Sequence, residues 1–370
     1  TVVTSREGDA NKQLLLEILS KEDDKSNYYA LPQEKLYQGQ EKYLRLEVGK
    51  IDNLLSLVAE QGENLGELCK INQGIVSGCD RVSTRHIKQY NLPTEIKGTG
   101  IFVLTADEID NLDLTADQQQ ILRPWFKNSD IESYWSLCED KGEYILYLKD
   151  SIVELPSVIR NYLKPFQAIL ESRREVAAGR RKWWELQWPR NKEIFAGPKL
   201  VVPQRSKTNT FAYNDEPWYA SADVYYITQP NGEVDLKYML ALLNSNLYYL
   251  WFYYKGKKKG NLLELYQKPL TEVPIKVIGS EQQQIFIDLV EEIQIKKKKL
   301  KEYQAVTFAE VKKREKLTTT STVKEIVKQA PDFVVHYQGQ AKIVRTMKVE
   351  IEGEKDRKST RLNSSHYRTS

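Results

Sequence analysis

The sequence is poor in the residues that build metal and redox sites. Its 370 residues include three histidines and three cysteines, and no two cysteines form a CxxC pair. Because Cys69, Cys79 and Cys138 are odd in number and widely spaced, they favour free thiols in a reducing compartment over a structural zinc site. We therefore predict no metal site and a cytoplasmic location.

Long apolar runs and enzyme motifs are also missing. No run reaches the length of about 18 apolar residues that marks a membrane span, and the N-terminus lacks the charged-then-apolar pattern of a signal peptide. The sequence contains neither a Walker loop nor a GxGxxG motif. We expect this chain to have no catalytic residue, no bound cofactor and no membrane partner.

What the sequence does contain is an uneven distribution of charge. The net charge is only +4, yet residues 160–207 hold twelve lysines and arginines against four glutamates. A basic segment inside a nearly neutral chain indicates a surface that binds a polyanion. A solvated charged surface explains such a run equally well, so composition alone leaves both interpretations open.

The segment 179–190 combines cations with aromatic rings. Its order is Gly-Arg-Arg-Lys-Trp-Trp-Glu-Leu-Gln-Trp-Pro-Arg. Aromatic rings can stack on bases or sugars while cations contact phosphates. Tryptophans mostly anchor cores, however, and we expect at least one of these three to be buried. The candidate nucleic-acid contacts in this segment are Arg180, Arg181, Lys182, Trp183, Trp184 and Arg190.

Two further groups of polar residues are candidates. Residues 203–207 follow a predicted buried strand, so their side chains project from a strand end, where Arg can read guanine and Gln adenine; an ordinary polar turn is the alternative. Glycine-flanked lysines at 255–260 predict a flexible loop that contacts phosphates and adds affinity rather than sequence preference. The candidates are Gln204, Arg205, Lys207, Lys255, Lys257, Lys258 and Lys259.

Short strands are mixed with helices, without a regular alternation of the two. The pattern predicts helices at 11–19, 51–59, 117–122, 235–254 and 280–303, and strands at 144–148, 199–203 and 224–227. Pro165 is expected to interrupt a helix over 155–174. The predicted fold class is therefore α+β: a mixed, mostly antiparallel domain of short strands with buried helices, followed by a C-terminal helix.

Both ends of the chain look artificial. The chain begins at Thr1 without an initiator methionine, and residues 356–366 resemble the in-frame translation of a sequencing adapter. We expect the natural protein to extend beyond at least one end. Residues 356–370 are left out of the fold prediction.

Seven short motifs, taken in order, carry a resemblance to a known family. They are Asn-Gln-Gly-Ile-Val-Ser-Gly at 72–78, Leu-Arg-Pro-Trp-Phe-Lys-Asn-Ser-Asp-Ile at 122–131, Tyr-Leu-Lys-Pro-Phe at 162–166, Trp-Trp-Glu-Leu-Gln-Trp-Pro-Arg at 183–190, Pro-Lys-Leu-Val-Val-Pro-Gln-Arg at 198–205, Leu-Leu-Asn-Ser-Asn at 242–246 and Gly-Lys-Lys-Lys-Gly at 256–260. Together, over about 65–275, they resemble the TaqI-like C-terminal specificity domain. This is the target-recognition domain of type II and type IIG adenine-specific DNA methyltransferases in restriction-modification systems.

The resemblance implies recognition of a short site in double-stranded DNA, with the target adenine flipped into a neighbouring methyltransferase pocket. It implies a parent enzyme that transfers a methyl group from S-adenosylmethionine, with or without a fused endonuclease. The chain lacks the Asn/Asp-Pro-Pro-aromatic and glycine-rich motifs of such a catalytic domain. We therefore expect that domain in a missing part of the same polypeptide, and the fragment is predicted to be inactive alone.

On this interpretation the chain has five parts. They are a methyltransferase remnant and linker at 1–62, the specificity domain at 63–276, a helix at 280–303, a small extension at 304–355 and the adapter-like tail at 356–370. A specificity subunit of a type I restriction-modification system is the nearest alternative, although it would be expected to hold two recognition domains separated by long helices. A protein that binds single strands on its tryptophans is a third interpretation.

Overall fold

The computed structural model describes the backbone of residues 2–4, 13–19, 26–32, 37–38, 43–44, 50–314, 334–337 and 340–343, and the side chains of residues 51–303. Residues 1–294 form one compact unit and residues 295–370 form a second. The predicted extension at 304–355 lies mostly outside the described residues, and the adapter-like tail at 356–370 lies wholly outside them. The domain boundaries given above remain predictions.

The N-terminal strands correct one prediction. They are β1 (Val2–Thr4), β2 (Gln13–Leu19), β3 (Ser26–Pro32), β4 (Tyr37–Gln38) and β5 (Tyr43–Leu44). The helix predicted at 11–19 is wrong, because β2 pairs in antiparallel fashion with β1 on one side and β3 on the other. A short apolar run cannot be assigned to helix or strand from its periodicity alone, and the partner strands decide it.

Short strands and helices follow from residue 50 onwards. The strands are β6 (Glu63–Asn64), β7 (Lys70–Gln73), β8 (Val103–Thr105), β9 (Leu122–Phe126), β10 (Ile131–Glu132), β11 (Trp135–Ser136), β12 (Glu143–Leu146), β13 (Lys199–Pro203), β14 (Arg205–Ser206), β15 (Ala212–Asn214), β16 (Tyr219–Ala220), β17 (Val224–Thr228), β18 (Lys257–Lys259), β19 (Leu262–Glu264) and β20 (Pro274–Ile275), and in the second unit β21 (Val334–Tyr337) and β22 (Gln340–Ile343). The helices are α1 (Lys50–Gln61), α2 (Leu65–Leu68), α3 (Thr84–Tyr90), α4 (Ala106–Asp110), α5 (Ala116–Gln119), α6 (Ser157–Leu163), α7 (Gln167–Glu171), α8 (Arg174–Ala177), α9 (Glu193–Ala196), α10 (Leu236–Leu243), α11 (Asn246–Tyr254), α12 (Gln267–Thr271) and α13 (Ser280–Arg314).

The centre of the first unit is a four-stranded antiparallel sheet in the order β15-β13-β17-β7. Every residue of β13 and β17 is buried. Because side chains alternate across a strand, Val201 and Tyr226 enter one hydrophobic core, whereas Leu200 and Ile227 enter another on the opposite face. Burial on both faces explains the apolar run Leu-Val-Val at 200–202.

Each of the two cores has its own outer layer. The first core includes residues of a second sheet, β16-β9-β12-β8, and of helices α6 and α7. In that sheet β16 runs parallel to β9, and the other pairs are antiparallel. The second core includes residues of α10, α11 and the first turns of α13. The mixed, mostly antiparallel sheets, the buried helices and the C-terminal helix confirm the predicted α+β class.

Two predicted helices change their extent. The helix predicted at 117–122 is a single turn, α5, and Leu122 instead begins β9, which bonds to β12 and β16. Pairing on both sides of β9 overrides the local helical pattern. Around Pro165 the chain forms a 3-10 turn, Lys164–Phe166, between α6 and α7, which confirms the predicted interruption.

The helix predicted over 235–254 is divided into α10 and α11. Asp235 caps α10 as expected. Asn244 then turns its amide onto the backbone of Phe211, accepting from its nitrogen at 3.0 Å and donating to its oxygen at 2.9 Å. Ser245 caps α11 with its hydroxyl. Asn and Ser favour such local bonds over a continuous helix, and their side chains therefore set the break.

Substitution of Trp218 tests the packing of side chains in the first core. Its indole is fully buried, stacks on Phe126 with ring centroids 4.9 Å apart and donates from Nε1 to the Leu137 oxygen at 2.8 Å. We expect Trp218→Ala to lower the free energy of unfolding by about 3–5 kcal/mol, measured by urea denaturation. Val153 is 92% exposed, so Val153→Ala should change it by less than about 0.5 kcal/mol. Similar losses in the two variants would contradict the packing described.

Candidate nucleic-acid interface

Three short strands bring Arg205 and Lys257 onto one face of a small sheet. The order is β14-β19-β18, and all pairs are antiparallel. Glu264 of β19 lies opposite Arg205 on one side and opposite Lys257 on the other. Residues directly opposite in paired strands share a face of the sheet, so one carboxylate stands between two cations.

The contacts within this row are direct. Arg205 Nε lies 3.1 Å from Glu264 Oε1, and Lys257 Nζ lies 3.8 Å from Glu264 Oε2. Tyr266 completes the group, which we call the Arg205 cluster: Arg205, Lys257, Glu264 and Tyr266. The Tyr266 hydroxyl donates to Glu264 Oε1 at 2.9 Å and accepts a hydrogen bond from Arg205 Nη2. Both cations also lie 5.5 Å from the centre of the Tyr266 ring.

The cluster buries its anion and leaves its cations accessible. The Glu264 side chain is 6% exposed, whereas those of Arg205 and Lys257 are 39% and 40% exposed. Burial raises the pKa of Glu264, but hydrogen bonds from Tyr266 and Arg205 and the charge of Lys257 lower it by more, so the pKa lies below its usual value. Glu264 is therefore an anion at neutral pH, and the surface of the cluster is positive.

The lysines at 257–259 lie on a strand, and the flexible loop predicted for them is wrong. They form β18, joined to β19 by a two-residue turn in which Gly260 has a φ of +59°. Glycine at the first turn position is typical of a hairpin. Lys258 lies 3.7 Å above the Tyr253 ring, and both Lys258 and Lys259 are exposed. Pairing with β19 thus fixes the spacing of the three cations.

Lys255 has a different role from the other lysines. Its Nζ lies 2.6 Å from Asp52 Oδ1 of α1, and the Lys255 side chain is only 10% exposed. An ammonium group so placed joins two helices and is covered by them. Lys255 is therefore not exposed in the way that Lys258 and Lys259 are.

Gln204 and Lys207 flank Arg205 without entering the cluster. Gln204 is held by its backbone, which donates to the Asp223 oxygen at 2.7 Å and accepts from the Leu265 nitrogen at 2.9 Å. Its side chain is half-buried, and Lys207 is exposed. The two hydrogen bonds of the Gln204 backbone fix the position of the residue that precedes Arg205.

The segment 179–190 has no regular secondary structure and divides its side chains between core and surface. Trp184 is buried, and Trp183 packs partly buried against the first core. Lys182 is exposed and lies 5.0 Å from the Trp184 ring. The expectation that at least one tryptophan is buried is confirmed by Trp184, whose burial removes its ring from stacking on a base. Trp183 is only partly buried.

The cations of this segment are mostly paired. Arg180 Nη1 lies 3.1 Å from Oε2 of Glu175, whose side chain is fully buried. Arg181 lies 3.7 Å from Asp150 and 5.8 Å from the centre of the Trp188 ring. Among the residues that the structure describes, no contact joins Arg180 or Arg181 to the Arg205 cluster. These cations therefore stand as a separate patch.

Arg190 is built into the fold. Its Nε donates to the Gly74 oxygen at 3.2 Å, and its Nη2 donates to Gln73 Oε1 at 3.1 Å. Gln73 lies opposite Tyr225 in the central sheet, and the rings of Tyr225 and Tyr266 are 6.4 Å apart. Arg190 thus ties the edge strand β7 in place, and a chain of contacts runs from it to the Arg205 cluster.

Two of the twelve cations counted between residues 160 and 207 serve the interior. Lys199 is fully buried and donates to oxygens of Gly197, Asn214 and Glu216 at 2.9, 3.2 and 2.6 Å. Burial lowers its pKa to about 8. Arg173 is buried as well and donates to three backbone oxygens. The positive surface is consequently smaller than the sequence count suggests.

The described part of the chain also lacks two features that other classes of protein have. No three His, Cys, Asp or Glu side chains within that part of the chain are grouped closely enough to hold a metal ion. No helix within the same part combines the length and apolar character needed to cross a bilayer.

The segment that contains the Arg205 cluster is similar to a known protein family. The family model of the TaqI-like C-terminal specificity domain matches residues 158–275. Residues 158–275 of this chain are similar to that domain. The match includes all thirteen candidate residues and every member of the Arg205 cluster, and it confirms the resemblance over that segment. The specificity domain as matched begins within α6 and ends with β20, whereas the central sheet also includes β7 from before it.

Relatives of known name are type II methyltransferases. M.HincII of Haemophilus influenzae is 36% identical over 104 residues, which are 26% of this chain and 21% of the relative. M.MjaIV of Methanocaldococcus jannaschii is 24% identical over 241 residues, covering 62% of this chain and 72% of the relative. The chain thus spans about a fifth of M.HincII and nearly three quarters of M.MjaIV.

A solved structure also resembles the chain. The type IIL restriction-modification enzyme MmeI, in complex with DNA, aligns with a TM-score of 0.44 and 14% sequence identity, over 77% of this chain and 33% of that chain.

Substitution of Arg190 tests whether its cation stabilises the fold. Arg190→Ala removes two hydrogen bonds from a charged donor, so we expect a loss of about 1–3 kcal/mol in the free energy of unfolding, measured by urea denaturation. Lys182→Ala is the matched control, because it removes only an exposed ring contact worth less than about 1 kcal/mol. If both variants unfold at the same urea concentration, Arg190 does not have the structural role described.

Proposed function

We propose that this chain recognises a short sequence in double-stranded DNA as the specificity module of an adenine-specific restriction-modification methyltransferase. The observation that carries the proposal is the row of Arg205, Glu264 and Lys257 across three strands, inside the segment that matches the specificity domain. Fixed cations that project from a folded surface can meet both base edges and phosphates. The family match and this geometry support the same function.

The two edge strands of the small sheet suit two kinds of contact. Arg205 Nη1 donates to no described residue, so its end remains available for the paired acceptors of guanine in the major groove. Lys258 and Lys259 are exposed on β18, the opposite edge strand of the same small sheet, and suit phosphates, which give affinity and register but no sequence preference. We assign base reading to Arg205 and backbone contacts to these lysines.

Methyl transfer is assigned to a catalytic domain outside this chain. The relatives are named type II methyltransferases, and such enzymes take the methyl group from S-adenosylmethionine. The sequence has no motif for that cofactor, so the fragment would bind DNA but transfer no methyl group. We place the catalytic domain in the same polypeptide and the whole protein in the cytoplasm, where it meets the chromosome.

Binding of the purified chain to labelled duplexes tests this function. Fluorescence anisotropy at low salt should show binding to duplex DNA, with weaker binding to either single strand. Selection from a pool of randomised duplexes should then enrich one short sequence. A properly folded chain that prefers single strands, or that enriches no sequence, would overturn the proposal.

Lys258→Ala should weaken binding to all duplexes alike. Removing one phosphate contact lowers by about one the number of counterions released, so the slope of log affinity against log salt concentration should flatten by about one unit. The measurement is a salt titration on the selected duplex and on a random duplex. A loss confined to the selected duplex would show that Lys258 contacts a base.

Arg205→Ala should weaken binding mainly on the selected duplex. A bidentate contact between arginine and guanine contributes about 1–3 kcal/mol of discrimination, and the variant should lose that amount on the selected duplex relative to a random one. Affinities for both duplexes are measured at one salt concentration. Equal losses on the two duplexes would remove Arg205 from the set of base-reading residues.

A further inference from the structure

Arg205 is held in the cluster on two of its three nitrogens. Nε bonds to Glu264 at 3.1 Å, and Nη2 bonds to the Tyr266 hydroxyl. The same hydroxyl bonds to Glu264 at 2.9 Å, so the three groups form a closed ring of hydrogen bonds. The Arg205 guanidinium consequently points in a direction that Glu264 and Tyr266 set.

Glu264 also faces a second cation. Lys257 Nζ lies 3.8 Å from Glu264 Oε2, the carboxylate oxygen that Arg205 does not use. Two cations side by side repel one another, and a buried carboxylate between them removes much of this repulsion. The Glu264 side chain is only 6% exposed, yet its negative charge still lowers the net positive charge that the cluster presents to a polyanionic partner.

We infer that Glu264 is a positioning residue for sequence recognition: it orients Arg205 for one base and at the same time limits attraction to DNA of any sequence. This inference rests on the proposed function. A long side chain fixed before binding loses less conformational freedom when it meets its target. A guanidinium held in one direction also distinguishes paired acceptors from other base edges better than a mobile cation does.

Glu264→Gln separates these two effects. The amide keeps the size of the side chain but removes the negative charge between Arg205 and Lys257. We expect affinity for a random duplex to rise severalfold, because the cluster becomes more positive. We expect discrimination between the selected duplex and its single-base variants to fall by about tenfold at one position, the position that Arg205→Ala also affects.

Opposite changes on the two kinds of DNA are a result that mere destabilisation cannot produce. A variant that only unfolds more readily loses affinity for every duplex in the same proportion. Tyr266→Phe removes the hydroxyl but keeps the ring and should reduce discrimination at the same position by a smaller factor. In the Arg205→Ala background, Glu264→Gln should no longer change discrimination, because no guanidinium remains to be oriented.

The control is a similar group of side chains elsewhere in the chain. Lys237 Nζ lies 2.5 Å from Glu291 Oε1 and 5.2 Å from the Tyr213 ring, which matches the combination of carboxylate, cation and tyrosine in the Arg205 cluster. Glu291→Gln makes the same chemical change there. It should leave discrimination unchanged, since Lys237 lies outside the cluster.

A measurement without DNA completes the test. In the folded chain the Arg205 Nε–H proton, assigned by its absence in Arg205→Ala, should exchange slowly with water in NMR spectra. In Glu264→Gln it should exchange severalfold faster. If wild type discriminates between duplexes but Glu264→Gln discriminates equally well, the positioning role is overturned while the proposed function stands. If wild type binds no duplex, the proposed function fails, and the positioning role fails with it.

Discussion

Burial of strand β13 on both faces determines where the cationic side chains emerge. Lys199–Pro203 cannot slip by one residue without moving apolar side chains out of both cores. The Gln204 backbone donates to the Asp223 oxygen and accepts from the Leu265 nitrogen, and these two bonds continue the constraint beyond the buried strand. Arg205 therefore leaves the core at a fixed point, beside the strand that carries Glu264. The position of Arg205 in the candidate interface is therefore set by the packing of β13 in the two cores.

Part of this arrangement could be predicted from the sequence. The apolar strand at 199–203 and the lysines at 257–259 are visible as local patterns, and they direct attention to Arg205 and to the hairpin. Glu264 and Tyr266 are not visible in this way, because Glu264 lies 59 residues from Arg205 along the chain. Only the pairing of β14 with β19 brings the two together. The sequence did contain a signal for a strand that carries Glu264 and Tyr266. Residues 262–266, Leu-Leu-Glu-Leu-Tyr, have a strand-like pattern and follow the turn after the lysines at 257–259.

The number of lysines and arginines in the sequence overestimated the positive surface, for a different reason. A count treats every cation as exposed, whereas Arg173 and Lys199 satisfy buried carbonyl oxygens and Arg190 fastens an edge strand. Local patterns of apolar residues also failed to predict two helices correctly. The run at 13–19 became a strand through its neighbours, and Asn244 broke a helix by bonding to a distant backbone. In each case a tertiary partner decided what local pattern could not.

The ion pair between Lys255 and Asp52 has a mechanical consequence. It joins α1 to the C-terminal end of α11, immediately before β18 begins, and both side chains are largely covered. The pair therefore fixes the residue that precedes the hairpin relative to α1. The hairpin that carries Lys257, Lys258 and Lys259 is thus anchored at its base to the helix at residues 50–61.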